Sequence, residues 1–151
     1  MFARYLRENN IAGEIVFLEH QASTVEDATR ALGVSADCIV KTVVFCADAI
    51  PILVITNGAT RIDIGRLADY LGIAKKKIKL ADAATVLECT GFSIGGVPPF
   101  GHKARLRTLV DERVLAEPEV YAGGGAVDAV LRIAPSELIR TTAAEIINLS
   151  S

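Results

Sequence analysis

Two β-branched runs, IVKTVVFC (residues 39–46) and IPILVIT (residues 50–56), lie only three residues apart. Such runs read as strands. A connection this short suits antiparallel pairing and leaves no room for a crossover helix. Further along, residues 104–110, 120–122 and 127–133 also read as strands. Residues 14–19 (EIVFLE) read as an early one. Lys75 to Leu80 leads into another, short one. Strands and helices mix without strict alternation. The pattern predicts an α+β fold with a mixed, mostly antiparallel sheet flanked by helices, not a doubly wound parallel sheet.

Helix boundaries carry chemical signals. Residues 2–10 form a short helix. Ser23 and Thr24 supply capping hydroxyls ahead of Val25, Ala28 and Leu32, and Gly33 stops that helix. Asp63 caps a helix carrying Ile64, Leu67, Ala68 and Leu71, which Gly72 ends. Asp82 caps another that runs to Gly91. Pro135-Ser136-Glu137 begins a last short helix. No repeat, linker or low-complexity tract interrupts residues 1–151, so one free-standing domain is expected.

Hydrophobic residues make up 51% of the chain, which excludes a disordered chain. No apolar run is long enough to cross a bilayer, and the N-terminal residues lack a signal-peptide pattern. These features imply a soluble, cytoplasmic protein with no membrane partner. Cys38, Cys46 and Cys89 are three widely spaced cysteines without a CxxC. That excludes a disulfide framework and a cysteine zinc site. Cys46, in an apolar strand, reads as an inert buried thiol. The formal net charge is −2, so any contact with nucleic acid must be local.

Two anomalies carry the functional argument. Lys41 sits inside an apolar strand. Period two puts it on one face with Ile39, Val43 and Phe45. Such a lysine either snorkels to an edge or points into a pocket, where it supplies a fixed positive charge. The second anomaly is SIGGVPPFGHKARLR, residues 93–107. Gly95 and Gly96 permit close backbone approach and positive φ. Pro98 and Pro99 stiffen the turn, and Gly101 closes it. A loop of this kind either only connects elements or presents backbone groups as an anion nest or oxyanion site. It is neither a Walker loop nor a dinucleotide fingerprint.

Lys103, Arg105 and Arg107 follow the loop. In a strand they share one face, either a solvated one or one that meets phosphates. Lys75, Lys76, Lys77 and Lys79 read as solvated surface. His20 and His102 are isolated. Neither completes a Ser-His-Asp or Cys-His pattern, and the two make a poor metal site. No metal or cofactor is expected.

These features come in a recognisable order. His20 precedes Ser23-Thr24-Val25-Glu26, Ala28 and Leu32-Gly33. The lysine strand, residues 39–45, comes next. Gly95-Gly96-Val97-Pro98-Pro99-Phe100-Gly101-His102 and Tyr121-Ala122-Gly123-Gly124-Gly125 then follow. From about His20 to about Leu138 the chain resembles the YbaK family, the prolyl-tRNA synthetase-associated editing domains. The resemblance implies a sheet curved toward a barrel. It also implies a metal-independent hydrolase that cleaves the ester of mischarged aminoacyl-tRNA, with a small amino acid on tRNA for proline as the substrate. It implies roles for Lys41, Gly95 and Gly96 in catalysis, and for His20, Pro99, Gly101, His102, Ala122 and Gly123 in substrate binding. The partners it implies are the tRNA acceptor end and an aminoacyl-tRNA synthetase. Many relatives carry a serine before the late glycine or a histidine nearby. Ala122-Gly123-Gly124-Gly125-Ala126 has neither. That departure motivates an alternative, a non-catalytic module that binds the tRNA end or a nucleotide. A small-molecule phosphate hydrolase is a third reading, weakened by the lack of an acidic metal-binding cluster.

Overall fold

The computed structural model describes residues 2–22 and 24–150. The two β-branched runs form the predicted hairpin, β2 (Val40–Ala47) and β3 (Ile50–Asn57). They pair antiparallel from Val40 opposite Asn57 to Ala47 opposite Ile50. Asp48 and Ala49 both adopt positive φ at the turn, which the connection needs to match strand twist. β4 (Ile78–Leu80) pairs antiparallel with the far half of β2 only. On the other side, β3 pairs parallel with β5 (Arg107–Asp111), and β5 pairs parallel with β8 (Glu145–Ile147). The five-stranded order is β4-β2-β3-β5-β8.

A second, antiparallel sheet has the order β1-β7-β6, formed by Gly13–Phe17, Ala129–Ile133 and Val120–Gly123. An isolated parallel bridge between Ile39 and Tyr121 brings β6 beside the start of β2. The mixed, mostly antiparallel character matches the expectation. The barrel does not. Two open sheets with free edges take its place, because β4 covers only three residues of β2, whose edge on that side is then free toward Val40.

Among the described residues, five α-helices accompany the sheets: α1 (Phe2–Glu8), α2 (Val25–Leu32), α3 (Ile64–Leu71), α4 (Ala83–Thr90) and α5 (Pro135–Thr142). The capping signals act as read. Thr24, Asp63 and Asp82 accept from the amides of Asp27, Arg66 and Thr85, and Gly33, Gly72 and Gly91 end their helices in the left-handed conformation. Ser23, the other proposed cap, lies outside the described residues. Alternation along β2 and β3 splits the core. Val40, Val44, Leu53 and Ile55 face the three-stranded sheet, with Val120, Leu131 and Ile133. Phe45, Ile52 and Val54 face α3, with Leu67 and Ala68.

One predicted strand starts late. β5 begins at Arg107, not Ala104. The amides of Lys103 and Ala104 donate instead to Thr90 and Cys89 carbonyls at the end of α4. Those bonds satisfy backbone carbonyls that the helix end leaves free. Lys103, Arg105 and Arg107 therefore do not alternate along one strand, and the expected shared strand face does not form, since only Arg107 lies in β5.

Candidate functional site

The start of β2, where β4 no longer covers its edge, is one wall of a cavity of about 470 Å³, a size suited to a small ligand. Val25 and Ala28 of α2, Val86 of α4 and Tyr121, Ala122 and Gly123 of β6 supply further walls. Leu80 and Ile94 stand at its rim, 69% and 57% exposed. Thr24 and Gly95, also in the lining, are exposed as well, so the cavity opens to solvent.

Lys41 lines this cavity, and it is the one charged side chain among the described lining residues. It is half-buried. Its Nζ donates to the Thr60 carbonyl at 3.3 Å. That oxygen takes one of three ammonium donors, so two stay available.

Gly95 and Val97 of the glycine-proline loop line the same cavity. The loop opens with a turn in which the Gly96 amide donates to the Ser93 carbonyl at 3.2 Å. Gly95 takes φ +99° at its third position, the place where a type II turn demands glycine. Gly96 faces away from the cavity, onto the β6–β7 connection. Gly125 donates to the Gly96 carbonyl at 2.9 Å, and a methyl group on Gly96 would lie 2.8 Å from the Ala126 backbone. Gly123 has the same kind of constraint. A methyl group there would sit 2.1 Å from the Val97 carbonyl oxygen. The two glycine stretches are thus packed backbone against backbone.

The remaining predicted residues divide. Ala122 and Gly123 line the cavity. Pro99 is buried beside it in the loop. Gly101 turns the chain with φ +79°. His102 does not line the cavity. Its Nε2 lies 2.6 Å from the Pro98 carbonyl oxygen. Burial pushes its pKa below 6.5, against the opposing pull of that hydrogen bond. His20 is exposed and outside the lining. Lys103 and Arg105 are exposed near the end of α4. Arg107 is engaged elsewhere, donating to both Glu145 oxygens at 2.7 and 2.8 Å.

The apolar walls and rim carry no signal in sequence, because Val25, Ala28, Leu80, Val86 and Ile94 look like core residues. No Ser, Cys, His, Asp or Glu is among the described lining residues. Among the described residues no three His, Cys, Asp or Glu side chains gather as a metal site. The three cysteines are free, and burial pushes the Cys89 thiol above its ordinary 9.0.

Residues 19–141 match the aminoacyl-tRNA editing domain model. The chain belongs to that family. The resemblance to YbaK-type editing domains is borne out. This editing domain is 29% identical to uncharacterized protein YwhH of Bacillus subtilis (strain 168), over 91% of the chain and 83% of that protein. It is 31% identical to the proline–tRNA ligase of Nitratidesulfovibrio vulgaris (strain DP4), over 74% of the chain. The editing domain spans only 19% of that ligase. Among solved structures, it superposes on "a putative trans-editing enzyme for prolyl tRNA synthetase" with TM-score 0.90 and 33% identity, covering 99% of this chain and 95% of that one. No described helix is long and apolar enough to cross a membrane.

Proposed function

We propose that this editing domain is an aminoacyl-tRNA deacylase acting in trans. The observation that carries the reading is that Lys41, Gly95 and Val97 line one cavity. A cation and a rigid stretch of backbone facing a small apolar chamber suit an ester whose acyl side chain is small and uncharged. Lys41 would stabilise the anion that develops on the ester or hold the terminal phosphate. Gly95 and Val97 would hold the ester through backbone groups. Water, held by the free hydroxyl beside the ester on the terminal ribose, would attack the acyl carbon, its oxygen completing the free acid and its proton passing to the departing ribose oxygen. The bond between acyl carbon and ribose oxygen breaks, and amino acid and tRNA leave. Similarity to proline–tRNA ligases supports tRNA for proline as the carrier.

The test is a panel of alanyl-, cysteinyl- and seryl-tRNA for proline. Turnover of at least one is expected without added metal. Lys41→Ala should lower it by about a hundredfold or more, the usual scale for losing a charge-stabilising group, while the thermal melt stays cooperative. A folded Lys41→Ala protein with full activity would remove Lys41 from the mechanism. Binding of tRNA with no turnover on any member would instead favour the non-catalytic module.

A further inference from the structure

The cavity-lining loop is held on two sides. On the β6 side the hold is backbone on backbone, through the Gly125 amide on the Gly96 carbonyl and the close approach of Val97 to Gly123. The other hold comes from a side chain. Pro98 and Pro99 have no amide hydrogen with which to anchor their own segment. His102 Nε2 reaches back four residues to the Pro98 carbonyl, at 2.6 Å. Gly101, with φ +79°, makes the reversal possible. The imidazole also meets Phe92 edge to face, with centroids 6.5 Å apart and planes at 78°.

A carbonyl oxygen only accepts, so Nε2 must carry the proton. That fixes the tautomer. His102 touches Pro98, and Pro98 adjoins Val97, which lines the cavity.

We infer that His102 is a positioning residue, a clamp whose Nε2–H holds the Pro98 carbonyl and so fixes the backbone that faces the ester. The consequence for turnover rests on the deacylase reading, and the clamp itself does not. Misplacing a reacting group by a fraction of its contact distance lowers the rate of the chemical step more than it weakens binding.

Two variants separate donor from bulk. His102→Leu keeps apolar volume and loses the donor. His102→Gln keeps an N–H at similar reach. Amide hydrogen exchange at Gly96 and Gly125, whose amides are bonded to the Ser93 and Gly96 carbonyls, should quicken about tenfold in His102→Leu, the scale of losing one hydrogen bond. His102→Gln should exchange near the wild-type rate. On the mischarged tRNA that turns over, His102→Leu should lose about tenfold in kcat with KM within about twofold, and His102→Gln should recover most of the loss. Nitrogen NMR of the wild-type imidazole should show Nε2 protonated. An Nδ1–H tautomer would overturn the clamp. So would unchanged exchange in His102→Leu, or an equal kcat loss in both variants, which would assign the effect to packing. If the wild-type protein turns over no mischarged tRNA, the deacylase reading fails, while exchange and NMR still decide the clamp.

Discussion

At the scale of single residues, the glycines of the late loop are explained by space more than by φ. Gly123 has no room for a side chain, because the Val97 carbonyl oxygen occupies the Cβ position at 2.1 Å. Gly33 differs. Its surroundings are open within 4 Å, and only its φ of +68° favours glycine. Gly123→Ala must push the loop off β6. It should cost about 1–3 kcal/mol, as overpacked sites do, and should also lower deacylation by moving Val97. Gly33→Ala should cost about 1–2 kcal/mol from backbone conformation alone, with activity per folded molecule unchanged. Urea midpoints and initial rates on both variants measure the contrast. A Gly123→Ala protein with wild-type rates would show that the loop's seat on β6 does not matter for the cavity. The loop itself was legible because glycine and proline cluster there. The mutual packing of two glycine stretches, 28 positions apart from Gly95 to Gly123 (123 − 95), was not, since close approach leaves no local mark in either one.

At the scale of elements, the helices were legible from their ends. Hydroxyl or carboxylate caps and closing glycines act through hydrogen bonds within a few residues, so sequence carries them. Lys41 stood out for a related reason, a charge inside an apolar run. Two features escaped. α5 starts where read, at Pro135, but its end is unmarked, since it falls on Ala143, a non-glycine residue at φ +52°. The three-residue β8 that follows exists because it pairs with β5, a contact across 36 positions from Leu109 to Glu145 (145 − 109). Arg107 and Glu145 join these same strands. The paired guanidinium and the Tyr70 hydroxyl hold the Glu145 carboxyl down to about 2 from an ordinary 4.5. Its folded pKa is thus depressed. The stabilisation it brings is present above pH 4.5 and lost as pH falls from there toward about 2. The pair is half exposed, so the effect is screened and small. Glu145→Gln should lower the urea midpoint slightly at pH 7 and reduce its fall between pH 5 and pH 2.5 by the same small amount. A variant with the wild-type acid limb would show that the β5–β8 contact does not depend on this pair.

At the scale of the whole molecule, the deacylase reading requires a chain of net charge −2 to engage a polyanion. Acidic residues outnumber basic ones, 18 to 16. A broad electrostatic footprint is therefore absent, and the contact must be concentrated. Lys75, Lys76 and Lys79 are exposed, and β4 leads from Lys79 to Leu80 at the cavity rim. Lys77 beside them is occupied by Asp48 at 3.4 Å. On the other flank Lys103 and Arg105 remain, since Arg107 is held by Glu145. On the deacylase reading, a tRNA whose acceptor end reaches the cavity past Leu80 meets Lys79 of β4 and the lysines just before it, Lys75 and Lys76. Each phosphate neutralised steepens the plot of log affinity against log salt by about 0.9 on duplex. The wild-type slope should be shallow, about −2 to −4, reflecting a few contacts. Replacing Lys75, Lys76 and Lys79 together by Gln should flatten it by about 2 and weaken binding at low salt, with kcat at saturating tRNA kept. The Lys103→Gln, Arg105→Gln pair should flatten it less. Filter binding from 50 to 200 mM salt reads both slopes. The reverse ranking would route the acceptor arm past the end of α4 instead of past β4, and would return the phosphate contacts to the residues that follow the glycine-proline loop.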